Sequence, residues 1–126
     1  MELRPRAYLI NEKEFYEPEG DGEKELSEFF AVLEGYKLKG KRFIMDYGSG
    51  VMDTEGREIF TGDILEVFVR SNKKEDKHIR EVGFVVFEDG TFLIRNDSGF
   101  EYELGLCVTS PDDMHVRIMG NKYGVV

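Results

Sequence analysis

The chain carries a single cysteine, Cys107, so no internal disulfide can form, and a reducing compartment is the expected setting. No apolar run approaches the ~20 residues that a membrane-spanning helix requires. The opening MELRPRAYLINEKEFYEPEG breaks its apolar residues with acids too soon for a signal-peptide core, which makes the cytosol the expected location. Neither a glycine-rich phosphate loop with its lysine nor a dinucleotide fingerprint occurs. The two histidines, His78 and His115, and one cysteine cannot fill a tetrahedral zinc site without a carboxylate. No repeat of fixed period is present, and the acidic loop is the only biased segment.

What remains is a soluble, globular profile. The 126 residues suffice for one core, burying roughly two thirds of the surface that the unfolded chain exposes. Hydrophobic residues make up 40% and charged residues 34%, with ten Phe and six Tyr. A net charge of −9 repels phosphate at long range and argues against broad nucleic-acid binding. The charge is segregated: Glu12 to Glu28 holds eight acids and two lysines, Lys37 to Arg42 four bases and no acid, and Arg70 to Arg80 five bases against Glu75 and Asp76. Solvated faces and loops explain such runs without a binding patch.

The expected fold is mainly β with one helix. Alternation in Arg4 to Asn11 puts Arg6, Tyr8 and Ile10 on one side and Ala7 and Leu9 on the other, with a short return strand at Phe15 and Tyr16. Leu26, Phe29, Phe30 and Leu33 fall on one stripe of a helix over about 23–34, capped by Asp21 and stopped by Gly35. Packing against the domain's own sheet is the plain reading of that stripe, and an aromatic docking surface is the functional one. The stretch from Tyr36 through Phe43 to Tyr47 reads as strand, ended by Gly48, Ser49 and Gly50. Turns at Asp53-Thr54-Glu55-Gly56 and Thr61-Gly62-Asp63 flank Ile59 and Phe60, and the second launches a strand from Ile64 to Arg70. Residues 71–77 are a solvent loop. Val82, Phe84 and Val86 face one way and Gly83, Val85 and Phe87 the other, which predicts a strand buried on both faces. Asp89-Gly90 marks a hairpin, Asn96 to Gly99 a second turn, and Phe100 to Leu104 a half-buried strand. Gly105 to Val108 is a connector, Ser110 to Asp113 a turn, and Val116 to Met119 the last strand.

No constellation declares a chemistry. A catalytic pair of Cys107 with His78 or His115 is the lesser reading, because Cys107 is better explained as a small apolar core residue. Asp53, Glu55, Glu58 and Asp63 lie close in sequence, which keeps a metal-dependent hydrolase as a minor alternative, although the alternating spacing of a calcium loop is missing. Catalytic, cofactor-binding and metal-ligating residues are therefore expected to be none. Basic residues interleaved with aromatics give a nucleic-acid alternative: Tyr36, Lys37, Lys39, Lys41 and Arg42 in the stretch up to Phe43, and Lys73, Lys74 and Lys77 in the stretch up to Arg80.

The letters Arg4-Pro5-Arg6-Ala7-Tyr8, then Gly50-Val51, Asp53, Gly56, Ile59-Phe60 and Gly62-Asp63-Ile64, and finally Gly120-Asn121 with Tyr123, carry a resemblance. The chain resembles the YopX family of phage and prophage proteins. That resemblance implies an SH3-like, partly open β-barrel in the C-terminal half with an N-terminal strand and helix extension. It also implies a mobile-element origin in a bacterial host, and it transfers no catalytic or ligand residue. The expected organisation is one domain over 1–126, with 1–48 as the extension and 49–126 as the barrel. The expected function is protein–protein contact without catalysis, the partner being of basic character. A homo-oligomer is compatible with that reading.

Overall fold

A computed structural model describes residues 3–70, 78–109 and 114–124. It is mostly β, with two antiparallel sheets. The chain divides into two compact units, Met1–Gly48 and Ser49–Val126. No helix among the described residues is long and apolar enough to cross a membrane.

In the first unit, β1 (Arg4–Leu9) pairs with β2 (Glu14–Tyr16) and, on its other edge, with the first part of β3 (Phe43–Met52), whose last residues belong to the second unit, in the register Arg4↔Gly48 to Leu9↔Phe43. Alternation in β1 does what the sequence predicts. Ala7 and Leu9 enter a core with Phe29 and Leu33, against which Tyr16, Tyr36, Phe43 and Met45 pack. On the opposite face the Tyr8 ring meets Phe15 at 5.3 Å, and the Arg6 guanidinium lies 4.1 Å from the same ring.

Helix α1 runs Glu23–Leu38, past Gly35, where the sequence places its stop. Gly35 costs about 1 kcal/mol relative to Ala in a helix interior. The helix continues through it because Tyr36 packs on the core and Lys37 suits the negative helix end. The true stop is Gly40, at φ +75: its N–H donates to Lys37 O, and the Lys41 N–H donates to Tyr36 O, both at 3.0 Å. Lys41 Nζ sits 5.0 Å from the Tyr36 ring, closing the terminus from the side. The stretch 36–42 is thus a helix end and turn rather than the predicted strand. At the other end the N-cap is Gly22 without a side-chain cap, and the Glu25 carboxyl folds back over it. Asp21, the predicted cap, pairs instead with Arg4 at 3.8 Å.

Strand β3 does not end at Gly48-Ser49-Gly50 as predicted. Gly50 adopts φ +76 and bends the strand without breaking it, while the Ser49 hydroxyl donates to Ile59 O at 2.7 Å. β3 thereby joins β4 (Glu58–Phe60), and the first sheet has the order β2-β1-β3-β4.

The second sheet, in the order β8-β7-β6-β5-β9, comprises β5 (Asp63–Arg70), β6 (His78–Glu88), β7 (Thr91–Arg95), β8 (Glu101–Glu103) and β9 (Met114–Asn121). Between β8 and β9 in sequence lies α2 (Leu104–Thr109). Asp89 and Gly90, at φ 50 and 78, form the predicted hairpin turn. Asn96 Oδ1 accepts the Ser98 and Phe100 amides in the next turn. Leu65, Val67, Val85, Ile94 and Leu104 are buried in this unit. The predicted double-sided burial of β6 is not found: Gly83 and Val85 are buried, while Phe84 is 40% exposed. An antiparallel sheet can leave one face to water, and this one does. The half-buried strand predicted at Phe100 to Leu104 shortens to β8, an edge strand with all three residues exposed, and the predicted connector is α2, anchored by buried Leu104. Among the described residues no pairing joins β8 to β9, so the sheet stays partly open, and an SH3-like label goes beyond what the strand order establishes. The predicted loop 71–77 and turn 110–113 lie outside the described residues.

Candidate functional site

The stripe predicted for α1 divides. Phe29 is 1% exposed and stacks on Tyr16 at 5.0 Å, whereas Phe30 is 47% exposed and meets Phe29 edge-on at 5.2 Å. Helical spacing sets Phe30 four residues after Leu26 and four before Glu34, on the outward side of α1. Leu26, Phe30 and Ala31 form the floor of an open groove of about 730 Å³, and Asp21, Glu23 and Glu34 form its rim. So open a depression, walled by one helix, does not enclose a small molecule, but it can receive side chains from another surface. Nothing in it is nucleophilic beyond Ser27, so the arrangement favours binding over chemistry.

The carboxylates considered for metal binding are committed to backbone and arginine partners. Asp53 Oδ1 accepts the Glu55 and Arg57 amides at 2.9 Å, and Oδ2 accepts the Ile118 amide at 3.0 Å and Arg57 Nη2 at 3.2 Å. Burial pushes the Asp53 pKa up, but the amides of Ile118, Arg57 and Glu55 and the Arg57 charge outweigh it and hold the carboxyl below its ordinary value. Asp63 Oδ2 accepts the Phe60 amide at 2.8 Å, and Glu58 Oε2 accepts the Gly50 amide at 3.2 Å. Glu55 pairs with Arg57 at 2.9 Å. Among the described residues no group of three or more His, Cys, Asp and Glu gathers as a metal site.

Of the nucleic-acid candidates, Tyr36 and Phe43 are each partly buried against the core of the first unit, which engages one side of each ring. Lys37, Lys39, Lys41 and Arg42 are exposed around the α1 terminus, and Lys41 is engaged by Glu12 at 3.3 Å. Lys73, Lys74 and Lys77 lie outside the described residues, as do the side chains of Cys107 and His78. His115 is exposed on β9.

Sequence reasoning missed one charged cluster. Glu66, 6% exposed on β5, accepts Arg80 Nε at 2.5 Å and Arg117 Nη2 at 2.9 Å. The Arg80 hydrogen bond is the main cause of its lowered pKa; burial opposes it, and Arg117 adds to it. The signal was a lone acid inside Ile64-Leu65-Glu66-Val67-Phe68, since a buried charge demands a partner, but the partners come from two other strands. At the far end of the sheet Arg95 is held by Glu88 and Glu101, at 2.6 and 3.1 Å.

No curated protein and no solved structure matches the chain. A family model described as YopX protein matches residues 7–124, which includes the helix groove, the Asp53 turn and the Gly120-Asn121 close. With nearly its whole length covered by that match, the chain belongs to the YopX family.

Proposed function

We propose that this chain is a phage-type accessory protein of prophage origin, working in the bacterial cytosol by binding another protein through the outward face of α1. The observation that carries this reading is Phe30, a large ring 47% exposed beside a sealed neighbour and among acids. An exposed aromatic at the centre of an acid-rimmed groove is the anchor-and-rim arrangement of protein interfaces. The floor suits one apolar anchor of a partner, and Asp21, Glu23 and Glu34 suit lysines or arginines around it. A basic amphipathic helix laid along α1 meets both requirements. The overall charge of −9 adds long-range attraction for such a partner and speeds its encounter. Two copies of the chain meeting groove to groove would oppose like charges, so a homo-oligomer would use another surface.

The test is affinity capture from the bacterial host with the wild type, Phe30→Glu, the double variant Glu23→Lys/Glu34→Lys, and Asp97→Lys as a control in an exposed loop. The groove positions are exposed, so these variants should keep their stability within about 0.5 kcal/mol. A partner with a Lys/Arg-rich segment should be held by the wild type and the control and lost by both groove variants. Retention of the same partner by Phe30→Glu would refute the assignment.

A further inference from the structure

We infer that the outward face of the second sheet, around Arg80 and Arg117, binds single-stranded nucleic acid, with the guanidinium groups on phosphates and Phe84 under a base. This site lies wholly within the second unit and is independent of the contact proposed for α1. It shares only Arg80 with the basic stretches singled out in the sequence.

The face follows from the register. In the β5–β6 ladder Ile64 pairs with Phe84, Glu66 with Val82 and Phe68 with Arg80, and in the β5–β9 ladder Glu66 pairs with Arg117 and Phe68 with His115. Cross-strand partners share a face, so Arg80, Arg117, His115, Phe68 and Phe84 stand together. Arg80 and Arg117 therefore stand together on this face, while the acids Glu88 and Glu101 sit with Arg95 across from Phe84.

Glu66 makes this end a receptor instead of a neutral ion pair. It is one carboxylate between two guanidinium groups, so a positive charge is left over. Among the described residues Arg80 uses only Nε on it and Arg117 only Nη2, and the two side chains remain 52% and 49% exposed. Among the described residues no other partner takes the remaining N–H donors of either planar fork, and a guanidinium can grip a phosphate through two bonds. Because Glu66 already fixes both side chains, little rotamer freedom remains to be lost on binding. Phe84, 40% exposed and two rungs further on, offers a ring face that any base can stack upon. Arg95, the cross-strand partner of Phe84, sits with Glu88 and Glu101 on the ring's side of the site, whereas Arg80 stands four residues of strand away, roughly 13 Å, so at 0.1 M salt, with a Debye length of about 10 Å, those acids are screened from the arginine end. The net charge of the chain therefore weakens the encounter without cancelling the local field. A carboxylate-rich peptide could meet the arginines but has no use for Phe84, which is why nucleic acid is the favoured occupant.

The test is fluorescence anisotropy with a short labelled oligothymidylate at about 50 mM salt, where counterion release favours association. Saturable binding is expected, with log affinity falling against log salt at a slope near −1.4 for two phosphates. Phe84→Ala should weaken it roughly tenfold. Arg117→Gln, which keeps a donor for Glu66, should weaken it as well and lower the salt slope by roughly 0.7. Thermal melting of each variant confirms the fold. If Arg117→Gln melts early, Arg80→Lys, which keeps a charge beside Glu66 but loses the fork, takes its place, with weaker binding and an unchanged salt slope expected. No saturable binding at that salt, binding unchanged in Phe84→Ala, or equal affinity for polyglutamate would each overturn the inference.

Discussion

Asp53 illustrates how one side chain can fasten distant parts of a unit. Its carboxylate closes its own turn through Glu55 and Arg57 and also reaches Ile118 on β9. The Thr54 amide and Arg57 Nη2 occupy the Val116 and Ile118 carbonyls, so the outer edge of β9 is covered rather than left open to another strand. Asp53→Asn puts an amide donor against these N–H groups, and we predict a loss of about 2–3 kcal/mol in chemical denaturation. Asp53 and Glu66 both titrate below their ordinary values in the folded protein. Their stabilisation is therefore fully present above the ordinary carboxylate range and is lost as pH falls through the folded values. Melting temperatures should be flat from about pH 7 to 5 and fall below about 4, with a shallower acid limb in Asp53→Asn. Gly83 is set by contact rather than by backbone angle. A Cβ there would lie 2.8 Å from Ile94 Cγ2 and 2.9 Å from Arg95 O, so Gly83→Ala should cost about 1–3 kcal/mol, read by thermal melting. The local half of the Asp53 role could be read in Asp53-Thr54-Glu55-Gly56. The bond to Ile118, 65 residues away, could not, because no local pattern encodes it.

At the scale of elements, legibility followed chemistry that is local. Asp89-Gly90 has one good solution, the tight turn at positive φ, and the hairpin formed where the pair stands. The end of α1 was misread because two glycines compete for it. Gly35 comes first in sequence, but Tyr36 belongs to the core, and only Gly40 can take φ +75 with both terminal carbonyls satisfied. Gly40→Ala should accordingly destabilise by about 1 kcal/mol and fray the last turn, visible as faster amide exchange at Lys41, while Gly35→Ala should stabilise by a similar amount. β6 and β8 were misread for a different reason. Apolar letters on both sides of β6 suggest burial on both sides, and the Glu-Tyr-Glu alternation of β8 suggests a buried face, but exposure depends on what the sheet lacks above it, which pattern alone does not state.

At the scale of the whole molecule, two surfaces stand out among the described residues, and they differ in character. The α1 groove is apolar with an acidic rim, and the sheet face around Glu66 is aromatic with an excess of guanidinium. The segregation of charge along the chain was legible from the start. That Phe30 faces out while Phe29 faces in was not, because the helical stripe is the same for both and only the position of β1 and β2 decides which ring is covered. The role proposed for the outward face of α1 is to receive a basic partner segment. The most direct measurement is site-specific photocrosslinking in the bacterial host, with the photoreactive residue at Ser27 beside the groove or at Asp97 in a loop of the second unit. One dominant adduct is expected from Ser27, mapping to a Lys/Arg-rich amphipathic segment and absent from Asp97. The same adduct from both positions, or none from Ser27 while Asp97 gives one, would contradict it.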